Sequence, residues 1–80
     1  MILESKIQAA NIKRLEKDGY YVVKIITCNK NGFPDIMALK DGKASFIEFK
    51  KTGKKLRPLQ EFRANELKRQ GFEVKLIDSI

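Results

Sequence analysis

The stretch that decides the fold is residues 32–50, GFPDIMALKDGKASFIEFK. Its two apolar-rich runs, 35–40 and 43–50, flank Asp41-Gly42, a dipeptide typical of a two-residue type I′ turn. We therefore predict two antiparallel strands joined as a β-hairpin. The turn also sets the register, because the residues on either side of it face each other. The predicted pairs are Lys40 with Lys43, Leu39 with Ala44, Met37 with Phe46, and Asp35 with Glu48.

This register brings two acidic residues together at the open end of the hairpin. Directly opposed residues have Cβ atoms about 4.5–5.5 Å apart, and Lys50 falls on the face of Glu48 because side chains alternate with period two. Two carboxylates about 5 Å apart repel by roughly 3 kcal/mol at an effective dielectric of about 20. A divalent cation between Asp35 and Glu48 would turn this repulsion into attraction, and Lys50 alone would do so in part. The alternative is a solvated hairpin end, where the acids form ordinary salt bridges with lysines.

The rest of the chain adds two helices and two strands to the hairpin. Helical spacing of apolar residues, a proline suited to a first helical turn, and runs of β-branched and aromatic residues predict a helix over 3–17, a strand over 20–28, a helix over 58–70 and a strand over 72–77. The order αβββαβ predicts one α/β domain over residues 1–80, with a mixed four-stranded sheet flanked by helices.

Composition restricts the chemistry. Seventeen basic residues against ten acidic ones give a formal charge of +7, which favours polyanionic partners, nucleic acid first. The chain has no histidine and one cysteine, Cys28, which lies in an apolar run and is expected to be buried. Zinc-type sites are therefore excluded. A metal would be held by carboxylate and backbone oxygens, which suit Mg²⁺ or Mn²⁺, and no small-molecule cofactor is expected.

Apolar run length, the first residues and the size of the chain give expectations about location and assembly. No apolar run approaches the roughly 20 residues that a spanning helix needs, so no membrane partner is expected. Residues 1–5 lack a secretory signal pattern, and we expect a cytoplasmic protein. The thin core of an 80-residue domain favours a homo-oligomer. Ile12 lies off the apolar stripe of the first helix and is expected to be exposed or covered by a partner subunit; Tyr20, Tyr21 and the second helix are further candidates for a dimer surface.

Two segments of the hairpin resemble a known signature. Pro34-Asp35 and Glu48-Phe49-Lys50 match the Pro-Asp…(Asp/Glu)-X-Lys pattern of the PD-(D/E)XK nuclease superfamily. The further segments Glu4-X3-Gln8, FIEFKK at 46–51 and Pro58-Leu59-Gln60, with Leu67 and Gly71, resemble the virus-type replication-repair nuclease domain, VRR-NUC, over nearly the whole chain. The length is similar to that of the stand-alone phage and bacterial members. The resemblance implies the restriction-endonuclease-like fold of that superfamily.

The resemblance also implies a role for each matching residue. Asp35 and Glu48 would ligate the metal, with the backbone carbonyl of Phe49 as a further ligand. Lys50 would position or deprotonate the attacking water and stabilise the developing charge. Glu4 would complete the acidic cluster directly or through water, and the remaining site residue, Gln60, would line the site from the second helix.

The basic loop after the second hairpin strand has its own interpretation. Lys51, Lys54, Lys55 and Arg57 follow Lys50 closely, and we expect them to contact phosphates beside the scissile bond. The alternative is a solvated loop. No base-reading motif is present, which favours recognition of DNA structure or backbone over a fixed sequence.

Together these features predict a metal-dependent, structure-selective endonuclease. The resemblance implies a homodimer that acts on branched DNA such as four-way junctions, in a bacterial cell and possibly encoded by a phage. One alternative is a nuclease of the same superfamily that cuts flaps or linear duplex DNA. An alternative of another class is a non-catalytic basic nucleic-acid-binding module, because double-stranded-RNA-binding domains are also basic and run αβββα. Metal dependence separates the two classes.

Overall fold

The computed structural model describes residues 2–80 and confirms the order αβββαβ. The helices are α1, Glu4–Lys17, and α2, Pro58–Arg69; the strands are β1, Tyr21–Lys24, β2, Ile36–Lys40, β3, Lys43–Phe49, and β4, Glu73–Ile77. The strands form a sheet in the order β1-β2-β3-β4, in which β3 and β4 are parallel and the other neighbours antiparallel. The predicted α/β fold with a mixed four-stranded sheet flanked by helices is therefore confirmed.

The central hairpin has the predicted turn and register. Asp41 and Gly42 both have positive φ, 52° and 76°, as a type I′ turn requires. The ladder pairs run from Lys40 with Lys43 back to Ile36 with Ile47. Side chains alternate between the two faces, so Ile47 and Phe49 lie on one face of β3 while Phe46 and Glu48 lie on the other.

The main core lies between α1 and one face of the sheet. Its buried members come from α1, β2 and β3: Ile7, Ile36, Ala38, Ile47 and Phe49. Partly buried residues pack around them: Ile12, Leu15, Tyr20, Val22 and Ile77. Ile12 thus contacts the core, and the expectation that it is exposed or covered by a partner subunit is wrong.

Asn11 is a polar residue on the buried face of α1, which is why this face differs from the one predicted from apolar spacing. This residue is buried, and its amide N–H groups donate to the carbonyls of Ile7 and Ser79 at 2.8 and 2.9 Å. A buried amide with both donors bonded carries little penalty. The buried face therefore runs through Ile7 and Asn11, whereas Leu3 is exposed.

The first strand is shorter than predicted. Beyond Lys24 one further backbone hydrogen bond continues the pairing, from the Ile25 N–H to the Asp35 carbonyl at 2.8 Å. Residues 26–28 are not part of the strand. Extending the β1–β2 register places Pro34 opposite Ile26, and proline has no N–H to donate to a ladder. Pairing stops there, so Cys28 is exposed and the prediction that it is buried is wrong.

The opposite face of the sheet carries a smaller aromatic cluster and α2. The Phe46 ring meets Phe33 and Phe72 edge-on, with ring centroids 5.5 and 5.6 Å apart. Parallel strands need a crossover connection, and the segment 50–72 provides it, with α2 as its helix. This crossover brings α2 against the face that displays Glu48. Within residues 2–80, neither helix has the length and apolar content to cross a bilayer.

Candidate active site

Asp35 is held at the open end of the hairpin by the backbone on both sides. It lies one residue before β2, and its N–H donates to the carbonyl of Ile47 at 3.0 Å. Because Ile47 already pairs with Ile36, two residues of one strand face one of the other, as in a β-bulge. The regular pairing predicted between Asp35 and Glu48 is therefore absent. Instead, the Asp35 carboxylate accepts the N–H of Phe49 at 2.7 Å, in the place of a ladder carbonyl.

Glu48 is a buried acid whose partners raise its pKa. Only 5% of its surface is exposed. Burial, then the negative charge of Asp35, raise the pKa of Glu48 from 4.5 to about 8, and a hydrogen bond with Asp35 and the charge of Glu4 add to the rise. The charge of Lys50 acts in the opposite direction. The side chains of Asp35 and Glu48 therefore meet, as predicted from the hairpin, although their backbones are not regularly paired.

Gln60 is the contact between α2 and this acidic pair. Its amide nitrogen donates to Glu48 Oε2 at 3.1 Å, while its amide oxygen accepts the N–H of Arg57 at 2.9 Å. The Arg57 N–H can only donate, so it fixes which end of the Gln60 amide faces the acid. The structure thus places Gln60, buried, beside Glu48, where the sequence analysis expected it.

Lys50 and Glu4 are charged neighbours of the Asp35–Glu48 pair. Lys50 directly follows β3, and its backbone N–H donates to the Ile77 carbonyl at 3.1 Å. Glu4 is the first residue of α1. Both are half-buried, and both are close enough for their charges to shift the pKa of Glu48. Among residues 2–80, no three acidic, cysteine or histidine side chains are grouped closely enough to form a complete metal site.

The donor set fits a hard divalent cation. A hydrogen bond between the Asp35 and Glu48 carboxyl groups contributes to the raised pKa of Glu48, and a cation between the two groups would end the repulsion that raises it. Two carboxylates suit Mg²⁺, which keeps several waters and contacts substrate phosphate. A third protein ligand from the Phe49 carbonyl, and the part of Glu4, stay predictions.

The basic loop lies between β3 and α2, next to the site. Lys51 is half-buried, whereas Lys54, Lys55 and Arg57 are exposed. The backbone turns sharply here, with the Lys54 N–H bonded to the Lys51 carbonyl at 3.0 Å. The four basic residues therefore lie on the stretch of chain that connects Lys50 with Gln60.

Two contacts that shape this end of the molecule have no signal in the sequence. Asp78, after β4, accepts the N–H of Gly53 in the basic loop at 2.9 Å. Arg63 of α2 donates to the carbonyl of Asn31 at 2.9 Å and so attaches the loop before β2 to the helix. Both contacts join residues 25 or more positions apart, and no local pattern marks such pairs.

Comparison with known families gives one match over nearly the whole chain. The family model of the VRR-NUC domain, which has the PD-(D/E)XK-like nuclease fold, matches residues 2–79. Comparison with curated proteins gives no match.

Proposed function

Because the chain belongs to the VRR-NUC domain family, we propose that it is a Mg²⁺- or Mn²⁺-dependent endonuclease acting on branched DNA. Family membership makes it a nuclease of the PD-(D/E)XK type, with DNA as its substrate. Metal dependence, the preference for branched DNA such as four-way junctions, and a homodimeric state are the further steps of the proposal. A bacterial or phage origin and a cytoplasmic location stay predictions.

One observation carries the proposal: Asp35 and Glu48 meet at the open end of the hairpin although both are acids. A folded domain gains nothing in stability by burying Glu48 against a second carboxyl, since the pKa of about 8 means that ionisation there is costly. Such a perturbed acid beside a specific charge partner is typical of functional sites. A non-catalytic module that binds nucleic acid by shape has no need of this pair.

In the proposed mechanism each residue has a separate task. Asp35 and Glu48 would hold the cation, which when bound supplies a Lewis acid for the phosphate and for water activation. Lys50 would place a positive charge where the attacking water and the developing phosphate charge meet. Gln60 would orient the Glu48 carboxylate through its amide nitrogen. The basic loop would hold the flanking phosphates by charge.

The proposed homodimer needs an exposed surface that a second copy of the chain can cover. Of the candidates for its surface, Ile12 and Tyr20 pack against the core and are set aside. Tyr21, at the edge strand β1, is 71% exposed, and Phe62 of α2 is 52% exposed. Two sites related by a two-fold axis would allow symmetric cuts in two strands. Sedimentation of wild type and Tyr21→Ser tests this step.

The test of the proposed function is cleavage of end-labelled four-way junction, flap and linear duplex DNA. Each is incubated with Mg²⁺, Mn²⁺ or EDTA, using wild type, Glu48→Gln and the control Glu16→Gln, which changes an exposed acid on α1. We expect metal-dependent symmetric cuts in the junction that only Glu48→Gln loses. Cutting of flaps or linear duplex instead would keep the site and reject the junction. DNA binding without metal-dependent cleavage would support the non-catalytic module.

A further inference from the structure

The basic loop, residues 51–57, is attached to the folded body at three places. At its start, the Lys50 N–H is bonded to Ile77 of β4. At its end, the Arg57 N–H is bonded to Gln60. The middle of the loop, at Thr52 and Gly53, is hydrogen-bonded to Asp78, the residue that follows β4.

Asp78 holds the middle of the loop through both its backbone and its side chain. Its carboxylate accepts the Gly53 N–H at 2.9 Å, and its backbone carbonyl accepts the hydroxyl of Thr52 at 2.8 Å. Gly53 has a φ of +82°, a conformation that glycine adopts freely and other residues rarely do. These contacts therefore select one conformation of a turn that glycine would otherwise leave free.

The position of Asp78 follows from the parallel pairing of β3 and β4. Phe49 pairs with Ile77, so the next step along both chains places Asp78 beside Lys50. Asp78 thus follows the Ile77 carbonyl that binds the Lys50 N–H, and it extends the attachment of this segment to the middle of the loop. It is half-buried, and its carboxylate is committed to the backbone of the loop.

The charge pattern makes this placement unexpected for a simple DNA-binding loop. Four of the seven loop residues are basic, and an acid beside them lowers the attraction of the loop for phosphates. Self-repulsion among the cations would also spread an unattached loop. Asp78 weakens the local positive field but fixes the loop backbone. This placement favours DNA binding if a fixed arrangement of the cations contributes more to affinity than their total charge does.

We infer that Asp78 is a positioning residue that presents the basic loop to the DNA backbone beside the active site. The inference rests on the proposed nuclease function and deepens it. Asp78 is not one of the proposed metal ligands, and its carboxylate acts through the Gly53 amide. It orders the loop before DNA arrives, so that Lys54 and Lys55 meet phosphates without an ordering cost.

Two substitutions separate positioning from charge, because the two effects have opposite signs. Removing the acid by Asp78→Ala should tighten DNA binding if only charge matters. Positioning predicts that Asp78→Ala weakens binding about fivefold, the effect of losing one exposed hydrogen bond, with a shallower salt dependence as phosphate contacts loosen. Asp78→Asn keeps an acceptor oxygen and loses the charge, so it should bind at least as tightly as wild type.

A third variant reaches the same turn without changing any charge. Gly53→Ala adds a methyl group where no atom lies within 4 Å, so its effect comes from the positive φ and not from a clash. It should weaken DNA binding to a similar extent as Asp78→Ala. The matched control is Glu16→Ala on α1, which removes an exposed acid far from the loop in sequence.

The experiment has one arm without DNA and one with it. In the first, amide hydrogen exchange of Gly53 by NMR should accelerate in Asp78→Ala and stay slow in Asp78→Asn; unchanged protection in Asp78→Ala overturns the inference. In the second, anisotropy with labelled four-way junction and linear duplex gives affinity and salt slope, and Mg²⁺-dependent cleavage gives KM and kcat. We expect Asp78→Ala to raise KM about fivefold and leave kcat within about twofold of wild type.

The outcomes distinguish this inference from the proposed function. If wild type cleaves DNA and Asp78→Ala binds as tightly as wild type or more tightly, positioning is wrong and the nuclease stands. If Asp78→Asn loses as much affinity as Asp78→Ala, the acceptor role is wrong. If wild type neither binds nor cleaves any of the DNA substrates, the proposed function fails, and the inference fails with it.

Discussion

Replacing Glu48 with Gln should stabilise the folded protein at alkaline pH even though it removes a proposed metal ligand. In the native state, burial and the charge of Asp35 keep the pKa of Glu48 at about 8, whereas the ordinary value is 4.5. Ionising the buried carboxyl therefore costs free energy that the unfolded chain does not spend. Glutamine has a similar shape and never ionises, so Glu48→Gln removes this cost and keeps a polar side chain beside Asp35.

The size of the effect follows from the pKa shift. One pKa unit corresponds to about 1.4 kcal/mol, so with a rise from 4.5 to about 8, complete ionisation lowers the unfolding free energy by on the order of 5 kcal/mol. The direct repulsion between two charges about 5 Å apart, about 3 kcal/mol at an effective dielectric of about 20, is similar. Because the amide stays neutral at this pH, we expect Glu48→Gln to gain about 2–4 kcal/mol at pH 8.5.

The sign depends on which state holds more protons. Between pH 4.5 and about 8, the native state keeps the Glu48 proton while the unfolded chain has lost it. The unfolding free energy of wild type therefore falls as pH rises through this window. The contribution of the protonated Glu48 carboxyl to the unfolding free energy is fully present below pH 4.5 and is lost once the pH passes about 8. The advantage of Glu48→Gln should then stay below about 1 kcal/mol at pH 5.

Urea unfolding in EDTA at pH 5, 7 and 8.5 measures this difference. Glu16→Gln serves as the control, because Glu16 is exposed and lies on α1. In thermal melts at pH 8.5, Glu48→Gln should unfold about 10 °C or more above wild type, given about 4–8 °C per kcal/mol for a domain of this size. A stability difference that does not change with pH, or a less stable variant at pH 8.5, would refute the reasoning.

Mg²⁺ should reverse this order if Asp35 and Glu48 hold the cation. A ligand that binds only the native state raises the unfolding free energy in proportion to the logarithm of its concentration above Kd. Wild type should gain stability with added Mg²⁺ at pH 8, while Glu48→Gln gains little. Equal stabilisation of both proteins would place the cation elsewhere.

The remaining predictions concern one active-site residue and two structural ones. Lys50→Ala should abolish cleavage while far-UV circular dichroism and DNA affinity stay close to wild type; retained cleavage would count against the role given to Lys50. Gly32→Ala should cost about 1–3 kcal/mol by urea unfolding, because its φ is +81° and a Cβ there would lie 2.7 Å from Leu59 Cγ. Gly71→Ala, with φ +93° and no atom within 4 Å, should cost less, and an equal cost would show that the contact is unimportant. Phe49→Ala should lose about 3–5 kcal/mol because the ring is fully buried, and a smaller loss would mean that the core collapses around the gap.

The hairpin could be predicted because its signals are local. Asp41 and Gly42 require positive φ, and the alternation of the flanking strands then determines every pair up to Ile36 with Ile47. One pair further the prediction of a regular ladder failed at Asp35, since the bulge uses the side chain of Asp35 to accept a backbone N–H. Periodicity does not record such an exchange of side chain for backbone.

The errors in the outer elements have non-local causes. The predicted first strand is longer than β1 because residues 25–28 have a high strand propensity. Pairing ends earlier because Pro34, on the neighbouring chain segment, has no N–H to donate. Ile12 packs against the core, contrary to the prediction, because the buried face of α1 includes Asn11, whose amide N–H groups are bonded to the carbonyls of Ile7 and of Ser79, 68 residues away. A sequence pattern does not show which distant carbonyl will satisfy a buried amide.

By itself, the sequence determined the order of elements, the hairpin and the residue types at its open end. These follow from turn chemistry and side-chain alternation, which act over a few neighbouring residues. Only the tertiary structure decided that Glu48 is buried, that Gln60 donates to it, and that Asp78 anchors the basic loop. The contacts of Gln60 and Asp78 depend on the crossover through α2 and the parallel pairing of β4, which join parts of the chain that are distant in sequence, and the pKa of Glu48 responds to the packing around it.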